Sequence, residues 1–119
     1  MARRKIQNPE GQAAIAAYLT NNYTTDQFEL AVRFLLQETA NRYPGNAVEL
    51  RVPPLGAIQC IEGPNHKRGT PANVVELDPV SWLELALGRA SFEQLHESGK
   101  LTASGNRSDL AGLFPIFEA

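Results

Sequence analysis

The chain has 119 residues, with 11 basic and 13 acidic side chains and a formal net charge of −2. That length holds one domain, burying roughly two-thirds of its unfolded surface, and the charge balance excludes a protein-wide field drawing nucleic acid or an anionic membrane. The single cysteine, Cys60, excludes an internal disulfide and points to a reducing compartment, so a cytoplasmic location is expected.

The start M-A-R-R-K is basic, but Ile6 to Gln12 contains Asn, Pro and Glu. It reads as a loose arm, not as a secretory signal. No run approaches the ~18 apolar residues of a membrane span. Asn8 is expected to cap a first helix, opened by Pro9, that runs to about Thr20 and is rich in alanine. Thr24 or Thr25 caps a long second helix to about Arg42. Phe28, Ala31, Val32, Leu35, Leu36 and Thr39 form its main apolar face. Leu30 and Phe34, four residues apart, fall on a second side. That side either packs on the first helix or lines a lipid cavity or partner surface.

Tyr43-Pro44-Gly45-Asn46 is a turn, and Val48, Leu50 and Val52 alternate with Glu49 and Arg51 as a strand with one wet face. Pro53-Pro54 ends that pairing, and Leu55 to Ile61 reads as a second apolar strand. A loop from Glu62 to Ala72 leads to a third strand, Asn73 to Leu77. Short connections among these three imply mainly antiparallel pairing.

From Asp78 the punctuation is dense. Asp78 caps and Pro79 opens a helix carrying Trp82, Leu83, Leu85, Ala86 and Leu87, stopped by Gly88. Ser91 and Gln94 make a capping-box pattern for a second short helix that carries Phe92 and Leu95 and ends at Gly99. Lys100 to Ser104 alternates as a fourth strand, with Leu101 and Ala103 inward. Ser108 or Asp109 starts a last helix with Leu110, Leu113 and Phe114 on one side, limited by Pro115. The fold class is α+β: a mostly antiparallel twisted sheet of four to five strands covered by helices. The whole chain is one domain, with residues 1–45 a helical part and 46–119 the sheet with its helices.

Candidate chemistry is sparse. His66, Lys67 and Arg68 form the one concentrated cationic loop in the body of the chain, a place for an anionic head group or a plain solvated loop. His66 and His96 lack partners at metal-ligand spacing. Cys60, in an apolar strand, reads as a small buried hydrophobe. Glu62, Glu76 and Asp78 form a carboxylate cluster near strand ends, or pair with Arg51 and Arg68 and cap the helix. No P-loop, dinucleotide fingerprint or nucleophile elbow is present. Trp82 reads first as a core anchor and second as a ligand stacker. No metal site, cofactor or catalytic residue is expected, and the protein is expected not to be an enzyme.

Residues from about Val48 to Phe114 resemble the sterol carrier protein family, in its small bacterial branch. Three pieces carry the resemblance. They are E-G-P-N-H-K-R-G-T-P-A-N-V-V-E from Glu62 to Glu76, D-P-x-x-W-L-x-L-A-x-G-R from Asp78 to Arg89, and G-K-L-T-A-S-G-N-R-S-D-L through Leu110. The resemblance implies a twisted sheet under helices, with an apolar tunnel between them that takes acyl chains or related lipids without catalysis. No catalytic set transfers. The lining expected from apolar pattern is Phe28, Val32, Leu35 and Leu36 on the long helix, with Ile58, Trp82, Leu85, Leu110, Leu113 and Phe114, and with His66, Lys67 and Arg68 at the head group. The expected partner is a fatty acyl chain or other apolar lipid, with peripheral membrane contact and a homodimer or protein partner as further expectations. The alternative is a protein–protein interaction module whose cavity has closed.

Overall fold

A computed structural model describes residues 5–63, 73–106 and 108–118. The first helix, α1 (Asn8–Leu19), has Gln7 in extended conformation at its cap position, without a side-chain cap bond. Asn8 is therefore the first helical residue rather than the cap. The second helix, α2 (Thr25–Arg42), is capped by Thr24, whose hydroxyl accepts from the Gln27 N–H at 3.1 Å. The Gln27 side chain answers by accepting from the Thr24 N–H at 2.8 Å. Both groups satisfied here would otherwise be orphan donors of the first turn.

Helices α1 and α2 form a hairpin, and its tightest approach is Gly11 on Phe34. A Cβ at Gly11 would overlap the Phe34 ring, which is itself buried. The second side of α2 is thus divided: Phe34 packs on α1, while Leu30 is half-buried and faces a groove. The end of α1 docks elsewhere too. The Tyr18 hydroxyl donates to Glu84 at 2.7 Å, and the Arg89 guanidinium lies 5.7 Å above the Tyr18 ring.

Among the described residues four strands follow: β1 (Val48–Val52), β2 (Gly56–Cys60), β3 (Val74–Leu77) and β4 (Leu101–Ser104). They form one sheet in the order β2-β1-β3-β4. Strands β1 and β2 are antiparallel, as are β3 and β4, but β1 and β3 are parallel. The expectation that the first three strands pair mainly antiparallel is corrected here. Strand β3 pairs with β1 across from β2, and two chain reversals leave β1 and β3 running the same way. The connection from β1 to β3 contains β2 and so exceeds the dozen or so residues that parallel neighbours require.

Ile61 does not extend β2. Its φ of 69° turns the chain away, its N–H donates to Tyr43 O at 2.8 Å and its carbonyl accepts from Ala47 N–H at 3.0 Å. Gly45 permits this close approach, since a Cβ there would overlap the Ile61 carbonyl.

The inner face of the sheet carries Val48, Leu50, Val52, Cys60, Val75, Leu77 and Leu101, all buried. The outer face carries Glu49 and Arg51, paired at 2.6 Å, with Gln59, Glu76 and Thr102 in register beside them. Helix α3 (Pro79–Ala86) is capped by Asp78, which accepts from the Ser81 N–H at 3.1 Å and its hydroxyl at 2.6 Å. Helix α4 (Phe92–Glu97) repeats the capping box with Ser91 and Gln94.

The expected last helix is reduced to a 3₁₀ turn, Ala111–Leu113. Pro115 holds Phe114 extended, and Gly112 adds little helical preference. Beyond it Ile116 is buried, with its N–H on Ala86 O at 2.8 Å and its carbonyl accepting from Arg42 at 2.7 Å. Among the described residues every buried side-chain polar atom has a partner, and no helix is long and apolar enough to cross a membrane.

Candidate functional site

A groove of about 660 Å³ opens between α2 and the edge strand β2. One wall is the α2 stripe Leu30, Arg33, Leu36 and Gln37, spaced to fall on one helical face. The other wall is Pro54, Leu55, Gly56, Ala57 and Ile58, from the β1–β2 turn and the start of β2. Ile6 closes one side. The edge position of β2 creates the opening. Its inward-facing positions, Gly56 and Ile58, lie at the sheet margin, and both stay partly exposed. Gly56 adds width, because a Cβ there would sit 3.2 Å from a Leu36 methyl.

Among the described residues two polar side chains, Arg33 and Gln37, line the groove. Gln37 is fully engaged: its amide oxygen accepts from the Ile6 N–H and its amide nitrogen donates to the Ile6 carbonyl, both at 2.9 Å. This pair of hydrogen bonds to the backbone of one residue straps Ile6 to α2. Among the described residues Arg33 is the one charged member of the lining, and it pairs loosely with Glu29 one turn before it, at 3.7 Å.

The expected lining separates into parts. Leu36 and Ile58 do line this groove. Val32, Leu35, Trp82, Leu85 and Leu110 are all at most 1% exposed and belong to one core cluster. Leu85 and Phe114 border a second hollow of about 450 Å³, beside the α3–α4 connection. Phe28 instead joins Tyr18 and Tyr23 in an aromatic group with centroids 5.4–6.1 Å apart. Leu113 is half-buried against the core. His66, Lys67 and Arg68 lie outside the described residues. Ile6, Arg33, Gln37 and Leu55 were not anticipated. The i, i+3, i+7 spacing of Leu30, Arg33 and Gln37 is the signal that marks their common face.

The remaining candidates have structural roles. The Cys60 side chain is buried, and burial pushes its thiol up to about 11, away from thiolate chemistry. Burial favours the neutral acid at Asp78, but the hydroxyl and N–H of Ser81 and the N–H of Val80 outweigh it and hold the carboxyl below its ordinary value. Glu76 faces Arg51 across the outer sheet. The His96 ring stacks on Phe92 with centroids 6.4 Å apart. Among the described residues no group of His, Cys, Asp and Glu is arranged to hold a metal ion.

A family model described as "Bacterial SCP ortholog" matches residues 24–116, well over half of the chain. The chain belongs to this family. The match starts at Thr24, the cap of α2, so the long helix and with it the helical wall of the groove are part of the shared SCP unit. Helix α1 and its Ile6 strap precede the matched region. No curated protein matches the chain.

Proposed function

We propose that this protein binds the hydrocarbon chain of an apolar lipid, non-covalently and without catalysis, in the groove between α2 and β2, and carries or presents it in the cytoplasm. The observation that supports this most is the groove itself, built mainly of apolar side chains in a member of the bacterial SCP ortholog family. Its volume falls in the roughly 300–1,000 Å³ range of small-molecule sites. Each methylene removed from water contributes ~0.8 kcal/mol, against an association cost of at least ~4 kcal/mol. An open groove covers a chain only in part, so a tail of about a dozen carbons is the shortest useful guest on this arithmetic.

The test is native mass spectrometry of the purified chain together with displacement of the neutral probe N-phenyl-1-naphthylamine by dodecanol. Displacement at micromolar concentration, lost in Leu30→Glu and Ile58→Glu with the unfolding transition retained, supports the reading. Absence of both probe binding and co-purified lipid ends it.

The edge strand favours a second reading. Strand β2 reads Gly56-Ala57-Ile58-Gln59-Cys60, with no charge or proline to guard its outer side. An interaction module would accept a partner's strand there. A dimer or a bound partner that dissociates on Leu30→Glu or Ile58→Glu, with no lipid displaced in the wild type, would favour this reading over the first.

A further inference from the structure

We infer that two copies of this chain join along β2, antiparallel about a twofold axis through Ile58, so that one sheet continues from copy to copy. The inference rests on the edge-strand reading above and commits it to one occupant and one register. The backbone sets that register. The Glu49 N–H donates to Asn73 O at 3.0 Å, on the β3 side of β1. Main-chain groups alternate sides along a strand, so those of Val48, Leu50 and Val52 turn to β2 and meet Cys60, Ile58 and Gly56, their register partners. The N–H and C=O groups of Ala57 and Gln59 therefore point off the free edge, and both residues are exposed. With Ile58 on the axis, Ala57 stands opposite Gln59 of the second copy, and both outward donors and both outward acceptors of each copy are paired. An axis through Ala57 would set Gln59 against Leu55, whose N–H already donates to Val52. An axis through Gln59 would set Ala57 against Ile61, whose N–H donates to Tyr43 and whose carbonyl accepts from Ala47.

The side chains agree with this register. A twofold contact brings like against like, and no charged side chain lies between Arg51 and Glu62 in the sequence. Arg33, in the groove wall, stands 3.7 Å from Glu29, so the two rims meet without a net like charge. Ile58 meets its own counterpart as a non-hydrogen-bonded pair, with Cα atoms ~4.5 Å apart. A five-residue strand alone falls short of the roughly 800 Å² per partner of a stable interface. The remainder comes from the groove rim at the same edge, where Leu30, Leu55 and Ile58 are half-buried.

Sedimentation equilibrium of the full chain, from about 5 to about 200 μM under reducing conditions, is expected to show a dimer that fills with concentration and stops at two copies. Ile58→Lys and Ile58→Glu, each with its unfolding transition retained, are expected to associate at least about tenfold more weakly. An equal mixture of the two is expected to recover most of that loss, because the axis sets residue 58 against itself. In a Cys60→Ala chain, Ile58→Cys is expected to couple two copies on mild oxidation, whereas Thr102→Cys on β4 is not. A wild type that stays monomeric throughout this range, a dimer that Ile58→Lys leaves intact, or open-ended oligomers built by β2 on β4 each overturn the inference. Titration with a synthetic peptide of residues 55–61 then tells the two readings apart. A monomeric chain that binds the peptide loses the dimer and keeps a strand-accepting edge, and one that does not bind it loses both.

Discussion

The indole N–H of Trp82 donates to the main-chain carbonyl of Val32 at 3.2 Å, and neither residue has any exposed surface. This bond ties α3 to the middle of α2, and the Trp82 ring meets Phe114 edge-on at 5.7 Å. Trp82 is thus a core anchor, and its polar handle is spent inside the protein rather than on a guest.

Trp82→Phe removes the donor and part of the ring volume. The expected loss is about 1–3 kcal/mol. Trp82→Ala is expected to cost about 3–5 kcal/mol. Urea unfolding followed by circular dichroism checks both, and a Phe variant as stable as the wild type would deny the bond any energetic role.

Gly11→Ala ordinarily stabilises a helix interior, by about 0.5–1 kcal/mol. Here the new methyl would overlap the Phe34 ring, which is buried and has nowhere to go. A net loss of about 1–3 kcal/mol is expected instead. Phe34→Leu in the same chain is expected to recover part of it, so the pair should show a clear coupling energy in a double-mutant cycle.

Asp78→Ala removes the cap of α3 and is expected to cost about 1 kcal/mol near neutral pH. Hydrogen bonds hold the Asp78 carboxyl below its ordinary value of 3.8. A lowered value in the folded state means stability present above that ordinary value and lost as pH falls below it. The gap between wild type and variant should therefore narrow below about pH 4, read from thermal melts across an acid series.

Cys60 supplies the alkaline counterpart. Burial raises its thiol from 9.0 to about 11. The unfolded chain releases this proton first, so the folded chain binds more protons in that window, and stability falls as pH rises from about 9 to about 11. Tyr18 is raised too, by burial and then by its bond to Glu84, and adds a separate loss above pH 10. The readout is therefore the difference between wild type and Cys60→Ala, which should lack the first part of the slope. Iodoacetamide at pH 8 should label Cys60 only at the rate of unfolding, and rapid labelling of the folded chain would place the thiol at the surface.

Much of the local structure is legible in the sequence because its cause is local. Thr24 with Gln27, Ser91 with Gln94 and Asp78 with Ser81 each satisfy helix-end donors three residues away. The alternation of Val48, Leu50 and Val52 follows from the pleat of a single strand. The family resemblance from Val48 onward also held, and it extends back through α2. Less of the site was legible. Leu36 and Ile58 were read as lining and do line the groove, but Val32, Leu35, Trp82 and Leu110 share the same apolar pattern and pack into the core. Hydrophobicity marks what leaves water without saying whether the neighbour is another side chain or a gap.

The order of residues by itself determined where most helices begin and end and which strand faces are oily. Only the tertiary structure decided that β1 and β3 run parallel, that Gly11 receives Phe34, and that Arg33 stands over an opening beside β2. Those three facts depend on contacts between segments far apart in the chain. Such contacts are set by how whole elements share one core, and no short-range preference encodes them.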